Sequence, residues 1–549
     1  QGRQQVPRGE RNPLNKRAQA CGAPNDLADA LRDPSRGTRV PCLHTPYTDG
    51  PLSVTQMCSP SRLSRTLIAT IWLLQPVTAP LQAAGFELPE MGDSAGVHLP
   101  AGKEKRLGQA FMRSVRANTT IESDPLLTDY LQDLGTKLAT KSGSGGNSFD
   151  FFLVREPTIN AFAGPGGHIG VHTGLVLETQ TESELAAVVA HEIAHVNQRH
   201  IARMLEAAEN MSLPAAGLLL AAILLGVAGG GGAAMAAAAG GQAALVQQQI
   251  NFTRSNEKEA DRVGMQILAD ADFDPRAMPV FFQRMSRADR TSGIALPEFL
   301  RTHPVSTSRI ADSLARAESF PYRQNPEDIR YHLTRAALRA AQFASPAAAE
   351  AHFESTLRDG RYRDRNAEGY GYALALMRTG KHAEARREID RLLAASPNQL
   401  EYSVASARLY KKTGDARRAL GVLKGALAKN PGSHALAVIA AETMLSVGDG
   451  RGAYDLLRRE LRKRPYDPEL HRLQARAAAA SGRQAESHLH LAEYHYGVGE
   501  LDAAVRQLEI AARQGKAGFH EKSRIEARLN QVKTELEVIR RDKRGGNNR

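Results

Sequence analysis

TESELAAVVAHEIAHVNQRH, residues 181–200, decides how the rest of the chain is read. Its apolar positions Leu185, Val188, Val189 and Ile193 recur at three- and four-residue spacing, the pattern of a helix with one face against a core. Thr181 and Glu184 occupy the capping-box positions of its first turn. On that helix His191 and His195 are four apart, so two imidazoles lie one above the other on the same face. Glu192 is rotated roughly a third of a turn from them, which leaves its carboxylate to hold and deprotonate a water instead of ligating. Two neutral imidazoles and a carboxylate, with one position left open, suit a redox-inert Lewis acid, and one Zn2+ per chain is the expected cofactor.

The third ligand is expected on a second helix, NEKEADRVGMQIL, residues 256–268. Glu257 and Asp261 are four apart and share a face, so Glu257 can complete the metal set while Asp261 accepts a proton from a ligand histidine. Glu259 is the alternative ligand. Its spacing of two from Asp261 puts that pair on different faces, which favours Glu257.

HEIAH, NEKEADRVG and THPVSTSR (residues 302–309), in that order, resemble the gluzincin-type metallopeptidases related to the CAAX prenyl endopeptidases. Taken together with the repeats described below, the likeness spans roughly residues 90–535. It implies a mostly α fold, with a zincin-like domain of helices and a small β-sheet, and zinc-dependent peptide-bond hydrolysis with Glu192 as general base and then acid. His303 and Arg309, six apart, fall on the H-P-x-x-x-x-R pattern of these peptidases. Arg309 is then a catalytic candidate that stabilises the oxyanion, or else fixes the local fold. His303 is either a fourth ligand that keeps the enzyme latent or a loop histidine packed beside its proline. In the family an edge strand ahead of the metal helix holds the peptide substrate, and Asn160, Ala161 and Phe162 fall in that region. A glycine-rich hairpin packed on the helix is the other reading.

The remainder of the 549 residues is organised around this core. With 71 basic and 59 acidic residues the chain is net positive by 12, which suits an acidic or membrane-surface partner; nucleic acid is not expected. Residues 1–56 have no methionine and read as a mis-called upstream extension or a disordered segment. Residues 57–83 read as a signal peptide, with Arg62 and Arg65 before the apolar run TLIATIWLLQPV (66–77) and Leu81-Gln82-Ala83 at its end. Cys21, Cys42 and Cys58 all precede that point, so the expected mature protein has no disulfide and no thiolate site. The expected location is the periplasm.

The peptidase domain is expected over 90–325. Helices are predicted over 99–141, the second opening with Asp124 as cap and Pro125 at its first position. SFDFFLV (148–154) and HIGVHTGLV (168–176) are predicted strands around NAFAGPGG (160–167). The uncharged tract 213–245 reads as a helical hairpin that caps the cleft or touches a membrane surface; its continuous apolar part is short of a bilayer span, and a spanning hairpin is the alternative.

From residue 366 to 535 the chain repeats. Gly380, Gly414, Gly448 and Gly482 are 34 apart, as are Pro397, Pro431 and Pro465, and Ala373, Ala407, Ala441 and Ala475. That is the TPR period, with glycine at the turn within each helix pair and proline between pairs. Gly499 and Ala504 restart the pattern 17 residues after Gly482, which implies a half-repeat shift or capping helices. Residues 327–365 are expected as linking helices or a degenerate repeat, and 536–549 as a disordered basic tail. Stacked pairs offer a surface for polypeptide; a spacer is the alternative.

The combination of export signal, peptidase and TPR repeats resembles the branch of the family that acts in periplasmic assembly and quality control of outer-membrane beta-barrel proteins. That resemblance implies both chaperone-like and degradative action. Its partners would be unfolded or stalled barrel proteins and their assembly machinery. Two alternatives are a TPR binding protein with a largely latent metal site, and a membrane-embedded zinc protease.

Overall fold

The computed structural model describes residues 101–143, 148–201, 243–291, 298–322, 326–514 and 518–546, within one compact unit, Leu88–Arg549. Residues 1–56, expected as an extension, residues 57–83, expected as a signal peptide, and residues 213–242 of the apolar tract lie outside the described residues. No helix among the described residues is long and apolar enough to cross a membrane.

The peptidase half begins with helices α1 (Ala101–Asn118) and α2 (Pro125–Ala139). Asp124 caps α2 by accepting from the Leu126 N–H, and Pro125 fills the first position, where no N–H is needed. Strands β1 (Asp150–Val154), β2 (Ala161–Gly164) and β3 (His168–His172) form a sheet in the order β1-β3-β2. β1 runs parallel to β3, and β2 antiparallel to it with Phe162 opposite Gly170. β2 falls in the region where the resemblance implies an edge strand. One expectation is corrected here: the predicted strand 168–176 stops at His172, where helix α3 (Thr173–Glu178) begins. Gly166 and Gly167, both at positive φ, turn β2 into β3. A side chain at Gly167 would put its Cβ 2.3 Å from the Ser148 carbonyl oxygen, so only glycine fits.

Helix α4 (Glu182–Asn197) carries the H-E-x-x-H motif and is buried on all sides from Glu184 to His195, packed by α2, β2 and two later helices. Those are α5 (Ala243–Asp270) and α6 (Ala277–Thr291), after which come α7 (Glu298–Thr302) and α8 (Thr307–Glu318). The cap of α4 is as expected on one leg, with Thr181 Oγ1 accepting from the Glu184 N–H at 3.2 Å. The other leg goes one residue further back, to the Gln180 N–H at 2.6 Å, and Arg284 of α6 grips both Glu184 oxygens at 2.6 Å.

A run of antiparallel helices follows: α9 (Ile329–Gln342), α10 (Pro346–Arg358), α11 (Arg365–Thr379), α12 (His382–Ala395), α13 (Leu400–Lys412) and α14 (Ala416–Lys429). It continues with α15 (His434–Ser446), α16 (Gly450–Lys463), α17 (Pro468–Ala480), α18 (Gln484–Gly497), α19 (Leu501–Arg513) and α20 (Phe519–Gly546). Gly380, Gly414, Gly448 and Gly482 all have φ between 76° and 89°, the left-handed turn between paired helices that accounts for their 34-residue period. Gly499 shares that conformation at φ 87° but stands 34 residues after Pro465, in the place of the next inter-repeat proline. The motif therefore slips by half a repeat while the helix stack does not, because α18 packs on both α17 and α19. The tail corrects a further expectation. α20 runs helical to Gly546, anchored by Arg528 on Glu493 at 2.8 Å and by Arg540 on Asp502 at 2.5 Å, where disorder was expected from 536.

The repeats fold onto the peptidase half. Leu126 of α2 joins the apolar cluster formed by Leu436, Leu470 and Leu473 of the repeats. Asp129 of α2 accepts from the Ala435 N–H at 2.7 Å, supplying a second acceptor to the start of α15 beside its own Ser433. At the start of α9, Tyr331 donates to the Thr179 carbonyl at 3.0 Å, and the Asp328 N–H donates to Glu182 at 2.9 Å in the first turn of the motif helix. Between α1, α2 and β1 on one side and α15 to α18 and α20 on the other lies a cavity of about 1860 Å³. Because Asp129 is a buried charge bonded to a helix N-terminus, Asp129→Ala is expected to lower stability by about 1–3 kcal/mol, read as a lower urea midpoint. An unchanged midpoint would leave the joint to apolar packing alone.

Candidate metal centre

Four side chains from three segments converge. His191 and His195 come from α4, Glu257 from α5, and His303 from the end of α7, and one ligand atom of each lies within 4.8 Å of the others. His191 Nε2 and His195 Nε2 are 3.0 Å apart, and each is 3.3 Å from a Glu257 oxygen. His303 presents Nδ1, 2.9 Å from Glu257 Oε1 and 3.4 Å from His191 Nε2. All four are buried, as are Glu192 and Asp261.

The convergence depends on how closely α5 approaches α4. Gly264 faces the backbone of His191: a Cβ there would lie 3.2 Å from both Cα and N of that residue. Glu257 and Asp261, two turns and one turn earlier on α5, are thereby brought to the two histidines, and Glu259 is not. Asp261 Oδ1 lies 3.0 Å from His191 Nδ1, on the far side of the ring from the cluster.

Arg309, in the first turn of α8, is committed to fixing these groups. Its Nε and Nη2 donate to the two Asp261 oxygens at 2.7 Å each, its Nη1 reaches Glu257 and the Pro304 carbonyl at 2.9 Å, and its plane lies over the Phe282 ring. Of the two roles open to Arg309, this geometry matches the one that fixes the local fold, since its donors face carboxylates and a backbone carbonyl. His303 departs from a free loop. Its N–H closes the last turn of α7 on the Phe299 carbonyl at 2.7 Å, and its ring lies against Phe299.

The electrostatics favour a cation. Burial disfavours charge on His191, yet Asp261 and Glu257 outweigh it and hold the ring's pKa up to about 10. Burial pushes His195 down. Burial would raise Glu257, but His303, His191 and His195 around it hold its carboxyl well below the usual range. Asp261 is likewise held down against burial by Arg309 and His191. With the imidazoles neutral, as ligation of a metal requires, the carboxylates of Glu192, Glu257 and Asp261 against the single Arg309 guanidinium leave two negative charges uncompensated. Both Glu192 oxygens are buried with no hydrogen-bond partner among the described residues, the nearest base being His303 Nε2 at 3.4 Å. Three imidazole nitrogens and a carboxylate, with an unpartnered carboxylate beside them, fit a divalent metal ion.

Asn160, Ala161 and Phe162 sit at the outer strand of the sheet. Asn160 accepts from the His172 N–H at 3.0 Å, so by antiparallel alternation Ala161 and Ala163 turn their backbone groups to the side of β2 that no other strand of the sheet pairs with, although both residues are buried. The side chain of Asn160 is fully buried, its Nδ2 unpartnered and its Oδ1 3.5 Å from Thr302 beside His303. Phe162 points inward against Phe111 and Phe152. The segment is therefore both an edge strand and a hairpin packed on α4. The large cavity adjoins the hairpin turn at Gly166, Gly167 and His168, and the four clustered residues are not part of its wall.

Fold and centre together define a metalloendopeptidase carrying a TPR solenoid. The profile of peptidase family M48 matches residues 125–317, and that of the tetratricopeptide repeat matches residues 411–477. The beta-barrel assembly-enhancing protease of Escherichia coli is 35% identical over 366 residues, 66% of this chain and 74% of that protein. A Vibrio cholerae protein named for the same activity is 40% identical over 277 residues, 50% of this chain and 57% of that one. A mitochondrial metalloendopeptidase of Schizosaccharomyces pombe is 31% identical over 214 residues, 38% of this chain and 59% of its own length. The chain belongs to the beta-barrel assembly-enhancing proteases, a TPR-bearing branch of peptidase family M48.

The α4–α5 approach is directly testable. Gly264→Val forces α5 away from the His191 backbone and carries Glu257 with it. The variant is expected to lose bound metal and about 1–3 kcal/mol of stability, with Gly264→Ala intermediate. Full metal content by elemental analysis in the valine variant would show that this spacing does not set the centre.

Proposed function

We propose that the protein is a zinc-dependent endopeptidase of the periplasm that acts on outer-membrane beta-barrel proteins during their assembly, assisting some and degrading others. The observation that carries the catalytic part is the convergence of His191, His195, Glu257 and His303 beside the unpartnered carboxylate of Glu192. The substrate and the location are supported by the relatives' names, and an interaction with polypeptide by the repeats.

In this reading His191, His195 and Glu257 hold the zinc. When bound there it supplies Lewis acidity, polarising the scissile carbonyl and acidifying water. The side of β2 left unpaired in the sheet, through Ala161 and Ala163, holds the substrate as an added strand. Glu192, free of other hydrogen bonds, takes the proton from the attacking water and later returns it to the leaving amine. Asp261 steadies His191, and Arg309 steadies Asp261 and Glu257. His303, already among the donors through Nδ1, fills the position that water needs, so the resting enzyme is latent.

The roles separate under mutation. His191→Ala, His195→Ala and Glu257→Gln are each expected to lose zinc. Glu192→Gln is expected to retain stoichiometric zinc while cleavage of an unfolded barrel protein falls about 10²- to 10⁴-fold. Stoichiometric zinc in Glu257→Gln would move the third ligand elsewhere.

Latency has its own test. His303→Ala removes the competing imidazole and is expected to raise basal cleavage with zinc retained. Full zinc with reduced cleavage would instead place His303 among the groups that stabilise the transition state.

A further inference from the structure

His200 is outside the four-residue cluster, yet it is 5% exposed and stands edge-on to His195, ring centres 4.9 Å apart. Its Nδ1 lies 2.9 Å from His195 Nδ1, and its Nε2 lies 3.4 Å from Glu259 Oε2. The backbone leaves regular helix to make this contact. α4 ends at Asn197, and Arg199 takes φ 53°, a left-handed conformation that costs a non-glycine residue about 1–2 kcal/mol. On an uninterrupted helix a residue five beyond His195 would lie roughly 140° around the axis from it. The left-handed residue brings the His200 ring back over His195 instead.

We infer that His200 and Glu259 form a positioning relay for His195, an inference that rests on the metal-centre reading above. His195 faces the cluster with Nε2, which must offer a lone pair to a metal, so the ring proton sits on Nδ1. That buried N–H needs an acceptor, and His200 Nδ1 is at hydrogen-bond distance. His200 then keeps its own proton on Nε2, directed at the Glu259 carboxylate. The logic parallels that of His191, whose Nδ1 has Asp261 beside it. One ligand histidine is held by a carboxylate fixed by Arg309, and the other by an imidazole whose carboxylate lies nearer the surface. Glu259 thus has a use, although it is not a ligand. A bare H-E-x-x-H gives no hint of it, because the contact depends on the kink at Arg199.

The test measures zinc affinity of the full-length chain by competition with a chelator, alongside the melting midpoint of each metal-free protein. His200→Phe fills the site without a ring nitrogen and is expected to weaken zinc binding about 10- to 100-fold. His200→Asn can place its side-chain carbonyl where Nδ1 was, and is expected to recover most of the loss although both variants melt alike. Glu259→Gln is expected to give a smaller loss than His200→Phe. Wild-type affinity in His200→Phe would overturn the relay and leave the metal centre intact, as would binding by His200→Asn as weak as that of His200→Phe. Absence of stoichiometric zinc from the wild-type chain would overturn both readings.

Discussion

A carboxylate removed from water costs several kcal/mol unless charges and donors of the right geometry replace its hydration, and the peptidase half is arranged around meeting that demand for Glu257. The residue is 2% exposed and is met on one side by the three histidines and on the other by Arg309. Each of those partners needs placing in turn. α4 supplies two histidines because its i,i+4 geometry stacks them, α7 supplies the third through a short helical turn, and α8 supplies the guanidinium. Gly264 lets α5 approach closely enough for the set to close. Adding Asp261 and Glu192 makes the pocket short of positive charge, and the upward shift of His191 registers the same deficit from the imidazole side.

Much of this is legible in the sequence because periodicity maps directly onto geometry. Two histidines four apart, and then Glu257 and Asp261 four apart, define helix faces from spacing alone. The 34-residue recurrence of glycine is equally direct, since each of those glycines adopts a left-handed turn that other residues rarely tolerate. The helix faces that carry the clustered residues, the order of the elements and the repeats therefore follow from local rules. Glu257, and not Glu259, lies in the cluster with His191, His195 and His303.

What is not legible depends on contacts between distant segments. β2 is short and alanine- and glycine-containing, with weak strand propensity; it becomes a strand through pairing with β3 and burial on α4. The composition of the basic tail suggests a solvated run, but Arg528 and Arg540 find carboxylates on α18 and α19 and the helix continues. Gly499 resembles a slip in the pattern because a glycine has replaced a proline at a junction between pairs. The motif that holds Arg309 places it near the centre, but which carboxylate it grips is a tertiary fact. His200 leaves no periodic signal for the reason its contact exists, a single left-handed residue that breaks the helical phase.

The packing of repeats on peptidase argues against a mere spacer. A spacer would meet the enzyme at one end, whereas α9, α15 and α18 each touch it, on α2 and α3, on α2, and on α1 respectively. One of these contacts reaches the motif helix itself. Glu182, in the first turn of α4, accepts from Asp328 at the start of α9 and from Tyr130 of α2, so the helix that carries both motif histidines is held at its N-terminus partly by α9. Arg113 of α1 binds Tyr496 and Glu535 in the last helices of the solenoid, so the two ends of the repeat array grip opposite parts of the peptidase. A helix buried on all sides and tied at its start has little freedom to move independently of the element holding it. The cavity between the halves is bounded by the same contacts and reaches the hairpin turn of β2. Its wall includes Arg113 and Tyr496 from that grip and Val196 from the motif helix, which makes the repeats part of the peptidase's structure as well as an attached surface.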